Sequence, residues 1–147
     1  MDTFKIKKLR ENAKIPFRAT PGSAGMDLYA CLDENIVIKP GERVLVPTGI
    51  AIALPDNSYV AYIYARSGLA IKNGITLSNC VGVVDSDYRG EVKVGLVNLS
   101  DTDYTVSPGD RIAQMVIAPV IIPQIEEADE LDETERNAGG FGSTGKS

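Results

Sequence analysis

The sequence contains no histidine and no tryptophan, and its two cysteines, Cys31 and Cys80, lie far apart without a Cys-x-x-Cys motif. The missing histidine excludes Ser-His and Cys-His catalysis and removes the most common zinc ligand. We expect the cysteines to fill core or strand positions as small apolar residues in a reducing compartment, and not to form a disulfide. Carboxylates are therefore the natural candidates for any catalytic base.

Positive charge is also scarce, since 15 lysines and arginines stand against 20 aspartates and glutamates, for a net charge of -5. Broad binding to nucleic acid needs a basic face, so no nucleic-acid partner is expected. A phosphate group would have to be held locally, by a few arginines, backbone amides or a metal ion. The first residues lack a signal-peptide pattern and no apolar run reaches transmembrane length, so we expect a cytoplasmic protein with no membrane partner.

Short runs of β-branched residues, cut by glycine and proline, make up most of the sequence. We predict strands over residues 35–39, 43–54, 59–64, 74–84, 91–98 and 112–122. Helical potential is limited to a short turn or helix over residues 65–73 and a weak acidic segment over residues 126–135. This pattern is typical of an all-β antiparallel sandwich, jelly roll or barrel.

The last predicted strand and the segment after it differ from the rest. Residues 115–122 are almost continuously apolar around Pro119. Proline belongs at strand edges or strand exchanges, so this segment is either part of an oligomer interface or a strand buried within one subunit. Residues 136–147 are rich in glycine, serine and threonine with one aromatic residue, so we predict a core domain over residues 1–135 and a flexible arm over residues 136–147.

Five stretches combine glycine with polar or charged residues in ways that a plain core does not require. They are residues 24–30 (Ala-Gly-Met-Asp-Leu-Tyr-Ala), 65–70 (Ala-Arg-Ser-Gly-Leu-Ala), 82–90 (Gly-Val-Val-Asp-Ser-Asp-Tyr-Arg-Gly), 109–115 (Gly-Asp-Arg-Ile-Ala-Gln-Met) and 136–145 (Arg-Asn-Ala-Gly-Gly-Phe-Gly-Ser-Thr-Gly). The last stretch lacks the lysine and the spacing of a P-loop. Taken singly, each is compatible with a solvated face, a turn or a linker.

Some of these stretches also have a direct chemical interpretation. Arg66 and Ser67 follow a predicted strand at a potential helix start, where amide N–H groups and both side chains would hold an anion. Ser67 is equally suited to be an ordinary helix N-cap. Asp85 follows a strand and is a candidate general base for water, although a polar turn is the commoner meaning of such a sequence. Asp110 and Arg111 are able to pair with each other or with neighbours.

In this order, the five stretches resemble the five motifs of the trimeric dUTPase family, and the resemblance spans residues 24–145. It implies an all-β jelly roll, or distorted β-barrel, that assembles into a homotrimer with active sites shared between subunits. It also implies an enzyme that uses Mg²⁺ to hydrolyse dUTP to dUMP and pyrophosphate. In the family this activity keeps uracil out of DNA and supplies dUMP for dTMP synthesis.

The resemblance assigns roles to residues of the third motif. Asp85 matches the catalytic carboxylate that activates the water attacking the α-phosphorus. Tyr88 matches the tyrosine that packs under the deoxyribose and leaves no room for a 2′-hydroxyl. Asn79 and the backbone of its hairpin, with Val84, match the substrate-binding residues that contact the uracil edge and exclude the thymine methyl group.

The first, second and fourth motifs supply the implied phosphate and metal contacts. Arg66, Ser67 and Gly68 resemble the phosphate-binding set of the family, joined by Gln114, which also counts among the catalytic residues. Asp27 matches the acid that holds the magnesium ion through its water shell. This fits the tendency of Mg²⁺ to keep waters and to take phosphate oxygens directly.

The fifth motif is implied to close over the bound nucleotide. Phe141 would lie over the uracil ring, while Arg136, Gly142, Ser143 and Thr144 would contact the phosphates. Arg136 would act as a catalytic residue, because a late-supplied arginine stabilises the charge of a transferring phosphoryl group. Closing the arm would also exclude water.

Two positions depart from the family pattern. Ala65 stands where proline is common, which lowers the rigidity of the loop without changing its chemistry. Asn137 stands where a glycine usually follows the arginine. Because asparagine tolerates a positive φ angle better than most residues, we expect the local conformation to survive.

Other functions on the same fold are also compatible with the sequence. A dCTP deaminase, or a bifunctional deaminase-dUTPase, resembles this chain in architecture but uses a glutamate for deamination. The stretch Asp-Ser-Asp-Tyr at residues 85–88 and the complete glycine-rich arm favour the dUTPase. A noncatalytic nucleotide sensor would not need the catalytic residues, and a plain binding module would leave all five motifs unexplained.

Overall fold

Strands dominate the part of the chain that the computed structural model describes, residues 3–140. The elements are β1 (Lys5–Lys8), β2 (Met26–Tyr29), β3 (Ile36–Ile38), β4 (Arg43–Pro47), β5 (Ile50–Ala53), β6 (Tyr59–Tyr64), α1 (Ser67–Asn73), β7 (Ile75–Leu77), β8 (Gly82–Val84), β9 (Lys93–Asn98), β10 (Tyr104–Val106) and β11 (Arg111–Pro119). Within these residues, no helix has the length and apolar character needed to span a membrane.

The strands form small antiparallel sheets whose neighbours are distant in sequence. The orders are β2-β11-β6-β8, β4-β9-β7, β1-β5 and β3-β10. The longest strand, β11, lies between β2 and β6. The last strand of the chain therefore pairs with one strand from near its beginning and one from its middle. This arrangement confirms the all-β, jelly-roll class expected from the sequence.

Branched aliphatic side chains from all four sheets form one hydrophobic core. Each such side chain contributes about 1.5–3 kcal/mol when it is fully buried. The largest fully buried apolar side chains are Leu28, Ile38, Ile50, Ile75, Leu96, Ile112, Met115, Val46, Val94 and Val106. Because they come from short strands throughout the chain, the sheets hold one another in place and fix the loops at their ends.

Two long predicted strands are each interrupted by a turn. Residues 43–54 form β4 and β5, separated at Gly49, whose φ is +70°. A Cβ at Gly49 would come within 2.6 Å of the Cys31 sulfur, so only glycine fits there. Residues 74–84 form β7 and β8, separated by a turn in which Cys80 has a φ of +64°. β-branched content predicts these strands but not the backbone reversals within them.

The other predicted elements are confirmed with shifted ends or revised. Residues 59–64 match β6, and the short helix falls within residues 65–73. β11 ends at Pro119, so the prediction that it reaches residue 122 was wrong, and residues 126–135 form no helix. The predicted set of strands omitted β1, β2 and β10, which have only three or four residues each.

The two cysteines have different environments. Cys31 is buried and its thiol donates to the Asn12 side chain at 3.1 Å, as expected for a core residue. Cys80 is exposed in the turn between β7 and β8, so the expectation that it fills a core or strand position was wrong. Both are free thiols, which confirms that no disulfide joins them.

Candidate active site

The four-stranded sheet places Asp27 and Gln114 side by side. Gln114 on β11 pairs with Asp27 on β2 and with Tyr64 on β6. The Gln114 Nε2 atom donates to the carbonyl oxygen of Ala65 at 2.9 Å, which supplies the partner that a half-buried amide requires. A Cβ at Gly25 would collide with the Gln114 amide oxygen, so glycine at this position makes room for the amide.

The connection between β6 and α1 presents Arg66, Ser67 and Gly68 at the same place. Arg66 is the N-cap residue of α1, with extended backbone angles and no side-chain capping bond. Ser67 is the first residue of the helix, so the alternative that Ser67 is an ordinary N-cap was wrong. Ser67 and Gly68 are exposed in the first helical turn, where backbone N–H groups have no partner within the helix.

Asp27 is held by two guanidinium groups. The Nε atom of Arg66 lies 2.9 Å from Asp27 Oδ1, and Nη1 of Arg111 lies 3.2 Å from Asp27 Oδ2. The Asp27 side chain is 15% exposed, whereas Arg66 is 28% and Arg111 is 53% exposed. Both carboxylate oxygens are therefore paired, and the group of three side chains carries a net charge of about +1.

These residues line a cleft of about 420 Å³, called the arginine cleft below. Its polar side is formed by Asp27, Arg66, Ser67, Gly68, Arg111 and Gln114, and its other side by residues of the loop before β2. Guanidinium groups, a hydroxyl and an amide converge here, as an anion site requires. The sequence-based interpretation of the first, second and fourth motifs brought together Asp27, Arg66, Ser67, Gly68 and Gln114, and the structure places them in this one cleft.

Arg111 is the charged residue of this cleft to which the sequence assigned no role in the site. Its neighbour Asp110 accepts a hydrogen bond from the Ser107 amide at 2.8 Å and makes no ion pair with Arg111. The sequence left open whether Arg111 pairs with Asp110 or with a neighbour. The structure shows the second alternative, because its partner Asp27 lies on the adjacent strand β2. A residue 84 positions away in sequence cannot be found from local pattern.

Asp85 lies in a second cleft, the Asp85 cleft, of about 390 Å³. It directly follows β8, and the cleft is lined by Leu45, Val83, Val84, Asp85, Tyr88, Glu91, Val92 and Lys93. The Asp85 backbone carbonyl accepts from the Tyr88 amide at 3.2 Å. The Asp85 carboxylate is exposed, and within residues 3–140 it makes no hydrogen bond or ion pair.

Tyr88 and Arg89 fix the turn that carries Asp85. The Tyr88 hydroxyl donates to the Glu91 carbonyl at 3.0 Å, and its ring remains 45% exposed. Arg89 donates through Nη1 to the carbonyls of Ser86 at 2.7 Å and Tyr88 at 3.0 Å. Tyr88 and Asp85 line the same cleft, while the Tyr88 hydroxyl and the Arg89 guanidinium group are bonded to backbone carbonyls of this segment.

Asn79 is exposed in the tight turn that joins β7 to β8. The Asn79 carbonyl accepts from the Val81 amide at 2.7 Å, across Cys80 with its positive φ. Its side-chain nitrogen would lie 3.7 Å from a Cβ at Gly82, so the two ends of the turn are close. The turn is narrow, and no residue of it lines the arginine cleft.

The structure therefore divides the expected site residues into two groups. The arginine cleft and the Asp85 cleft share no lining residue. Asn79 and Arg136 line neither cleft, and the Arg136 Nε atom donates to the Gly139 carbonyl at 2.7 Å in a turn of its own. Asn137 in that turn has a φ of +41°, as expected for this substitution. Phe141, Gly142, Ser143 and Thr144 lie outside the described residues.

Comparison with known proteins identifies the family to which the chain belongs. The sequence profile of the dUTPase family matches residues 11–145. The chain belongs to the dUTPase family. The resemblance drawn from the five motifs is confirmed, and the chain is a member of an enzyme family.

Relatives of this dUTPase family member match over almost their full length. The chain is 54% identical over 143 residues to the deoxyuridine 5′-triphosphate nucleotidohydrolase of Syntrophotalea carbinolica, covering 97% of each chain. It is 57% identical over 140 residues to the enzyme of that name from Hydrogenobaculum sp., covering 95% of this chain and 96% of the other. Among solved structures, the G164S mutant dUTPase of Staphylococcus bacteriophage 80alpha with dUpNHpp is similar, with a TM-score of 0.89 and 26% identity over 99% of this chain and 100% of that chain.

Proposed function

We propose that this protein hydrolyses dUTP to dUMP and pyrophosphate in a Mg²⁺-dependent reaction. The observation that carries the proposal is the arginine cleft, in which Arg66, Ser67, Gly68 and Gln114 meet beside Asp27. Relatives that are more than half identical are named for this reaction, and the phage 80alpha enzyme binds a dUTP analogue. The cleft supplies the local positive charge that a triphosphate needs on a chain with a net charge of -5.

The residues of the arginine cleft suit a magnesium ion held mainly by the substrate. Within residues 3–140, no cluster of three histidines, cysteines or carboxylates offers a complete protein cage. Asp27 is a single carboxylate next to an anion site, and Mg²⁺ typically combines phosphate oxygens and waters with one or two carboxylates. Asp27 would therefore hold the ion through its water shell, and the ion would neutralise charge on the phosphates.

The chemical step is an in-line attack of water on the α-phosphorus. Asp85 takes a proton from the water, the new bond forms between the water oxygen and the α-phosphorus, and the bond to the leaving pyrophosphate oxygen breaks. Among residues 3–140 the Asp85 carboxylate has no ion-pair partner, which supports its role as the base, because no such partner has to be displaced before it accepts a proton. Gln114 and Arg136 would stabilise the charge that develops on the phosphate oxygens.

Nucleoside recognition falls to the hairpin and the aromatic residues. The exposed Tyr88 ring beside Asp85 would support the deoxyribose, and the narrow turn at Asn79, with the backbone near Val84, would contact the uracil edge. Phe141 would cover the ring from the arm, while Gly142, Ser143 and Thr144 would contact the phosphates. This division explains why apolar and polar lining mix in the Asp85 cleft, whereas the arginine cleft is mainly polar.

The separation of the two clefts supports a site shared between subunits. A base has to reach the water next to the phosphorus, yet Asp85 does not line the arginine cleft of its own chain. A homotrimer in which the Asp85 cleft of one copy faces the arginine cleft of another would complete the site. The arm at residues 136–147 would close over it from a third copy, after the core domain of residues 1–135.

The segment after β11 also favours an assembly. Val120 still donates to the Ser58 carbonyl at 2.8 Å, but residues 121–135 form no strand, and Ile121, Ile125 and Leu131 are 88%, 99% and 88% exposed. Ile121, Ile122 and Ile125 are close together in sequence, and an exposed apolar stretch of this kind marks an interaction surface. Of the two alternatives for the apolar run, burial within one subunit is contradicted for Ile121 and Ile122, and the oligomer interface is proposed.

The cellular role follows from the reaction. Removing dUTP keeps uracil out of DNA, and the dUMP formed is the precursor of dTMP. A cytoplasmic location, without nucleic-acid or membrane partners, is consistent with this role and with the acidic chain.

The test is the release of pyrophosphate from dUTP, dCTP, dTTP and UTP, each with Mg²⁺ and with EDTA. We expect rapid release from dUTP alone, and none with EDTA. Release of ammonia from dCTP would instead favour a deaminase. Binding of dUTP without turnover would favour a nucleotide sensor, and sedimentation velocity checks the trimer.

A further inference from the structure

Arg111 reaches the arginine cleft because of an irregularity in β11. Pairing with β2 shifts between Arg111 and Ala113, and both Ile112 and Ala113 are buried. Regular alternation from Gln114 would turn residue 112 toward the cleft. The bulge turns Arg111 there instead, and bulges commonly re-aim a side chain in this way.

The two arginines hold Asp27 unequally. Arg66 contacts Oδ1 at 2.9 Å and also donates to the Arg111 carbonyl at 3.4 Å, and it is the less exposed of the two. Arg111 makes the longer contact, 3.2 Å to Oδ2, and about half of its side chain is exposed. The contact of Arg111 is therefore the easier one to exchange for another anion.

A bound triphosphate would compete directly for that contact. It brings more negative charge than the Asp27 carboxylate, and a guanidinium group binds phosphate oxygens through two parallel N–H donors. If Arg111 moved to the phosphates, Asp27 Oδ2 would become available to accept a hydrogen bond from a water of the metal ion. The movement of Arg111 would then favour binding of both the triphosphate and the metal ion.

We propose that Arg111 is a positioning residue that exchanges Asp27 for the substrate phosphates. In the empty cleft it neutralises Asp27 and holds the carboxylate in place. When the triphosphate binds, Arg111 contacts the phosphate oxygens and Asp27 turns to the water shell of Mg²⁺. This inference rests on the proposed function, and it assigns a role to a residue outside the sequence-predicted set.

The test compares ligands with different numbers of phosphates. Full-length wild type, Arg111→Gln, Arg111→Lys and the control Arg43→Gln, which removes an exposed arginine of β4, are titrated calorimetrically with dUpNHpp and with dUMP in Mg²⁺. Arg111→Gln is expected to weaken dUpNHpp about 10–100-fold, the value of a charged hydrogen bond, and dUMP less than about threefold. Arg111→Lys should recover part of the loss, and Arg43→Gln should match wild type.

Several results would overturn the inference. Equal weakening of both ligands by Arg111→Gln would mean that the residue only maintains the cleft. Unchanged dUpNHpp binding by Arg111→Gln would mean that the phosphates do not recruit it. If wild type binds dUpNHpp and hydrolyses dUTP, and Arg111→Gln does both equally well, only this inference is contradicted. If wild type neither binds dUpNHpp nor hydrolyses dUTP, the proposed function is contradicted as well. Arg111→Lys, with its retained charge, provides the same comparison if Arg111→Gln does not fold.

Discussion

The arginine cleft and the Asp85 cleft treat their aspartates in opposite ways. Asp27 is 15% exposed and has an arginine on each oxygen, at 2.9 and 3.2 Å. Asp85 is exposed, and its carboxylate has no partner among residues 3–140. Asp27 cannot take a proton from water without breaking an ion pair, whereas Asp85 has no ion pair to break among the described residues. The difference suits Asp27 to holding charge in place and Asp85 to the proposed role of base.

The two clefts also differ in how complete they are within one chain. The arginine cleft gathers all its expected members from β2, the start of α1 and β11. The Asp85 cleft is lined by Asp85 and Tyr88 but by no arginine. Arg89, in the turn that carries Asp85, donates to the Ser86 carbonyl. The arginine cleft has guanidinium groups but not Asp85, and the Asp85 cleft has Asp85 but no guanidinium group. A shared site between copies is the simplest arrangement that brings the base to the phosphates.

Replacing the base should have the largest effect. Asp85→Asn removes the proton acceptor with almost no change in shape, so kcat for dUTP should fall roughly 10³-fold, within the range for a general base. Affinity for dUpNHpp should change less than about threefold, because the arginine cleft is intact. Asp87→Asn, an exposed acid of the same turn, is the control and should keep most activity. An Asp85→Asn enzyme with normal kcat would place the base elsewhere.

Removing the arm should have the next largest effect. Deletion of residues 136–147 takes away Arg136 and Phe141, so kcat should fall about 10²-fold or more, as for loss of a charge-stabilising donor. The sedimentation coefficient should still correspond to the full assembly, since both clefts and β11 remain. A shorter deletion of Lys146 and Ser147 alone is the control. Normal kcat in the protein without residues 136–147 would contradict the closing role of the arm.

A smaller change should disturb the arginine cleft alone. In Gly25→Ala, the new methyl group would collide with the Gln114 amide oxygen, so the amide has to move. We expect kcat/KM to fall about tenfold, because displacements near 1 Å cost up to about 10²-fold. Gly22→Ala, in the same loop, meets no atom within 4 Å and should behave as wild type. Equal activity of the two variants would show that the Gln114 position is not critical.

The smallest effect concerns Tyr104, which lies beside the arginine cleft with Arg66 and Arg111. Burial raises the pKa of Tyr104, the Asp110 carboxylate raises it further, and Arg66 opposes them. Because the folded pKa lies above the unfolded one, this contribution to stability is present below about pH 10 and is lost as the pH rises through the folded pKa. Tyr104→Phe should therefore lose less thermal stability than wild type between about pH 9 and 11. The same fall in melting temperature with pH for wild type and Tyr104→Phe would contradict this prediction.

Much of the fold and part of the site could be predicted from the sequence. β6 and the positions of β3 and β9 follow from β-branched runs, and five members of the arginine cleft follow from their motifs, namely Asp27, Arg66, Ser67, Gly68 and Gln114. The breaks at Gly49 and Cys80 could not be predicted from β-branched content, because Gly49 has a positive φ packed against the Cys31 sulfur and Cys80 is a non-glycine residue with a positive φ in an exposed turn. The pairing of Arg111 with Asp27 depends on the β11 bulge and on contact between distant strands.

Subunit complementation tests the shared site most directly. Asp85→Asn and Arg66→Gln chains, each inactive alone, are unfolded together in equal amounts and refolded, with mixing checked by mass spectrometry of the intact assembly. If the base and the arginine cleft come from different copies, about one quarter of the sites in randomly mixed trimers contain both intact groups, and activity returns to about that fraction of wild type. Mixed assemblies that remain inactive would contradict a site shared between subunits.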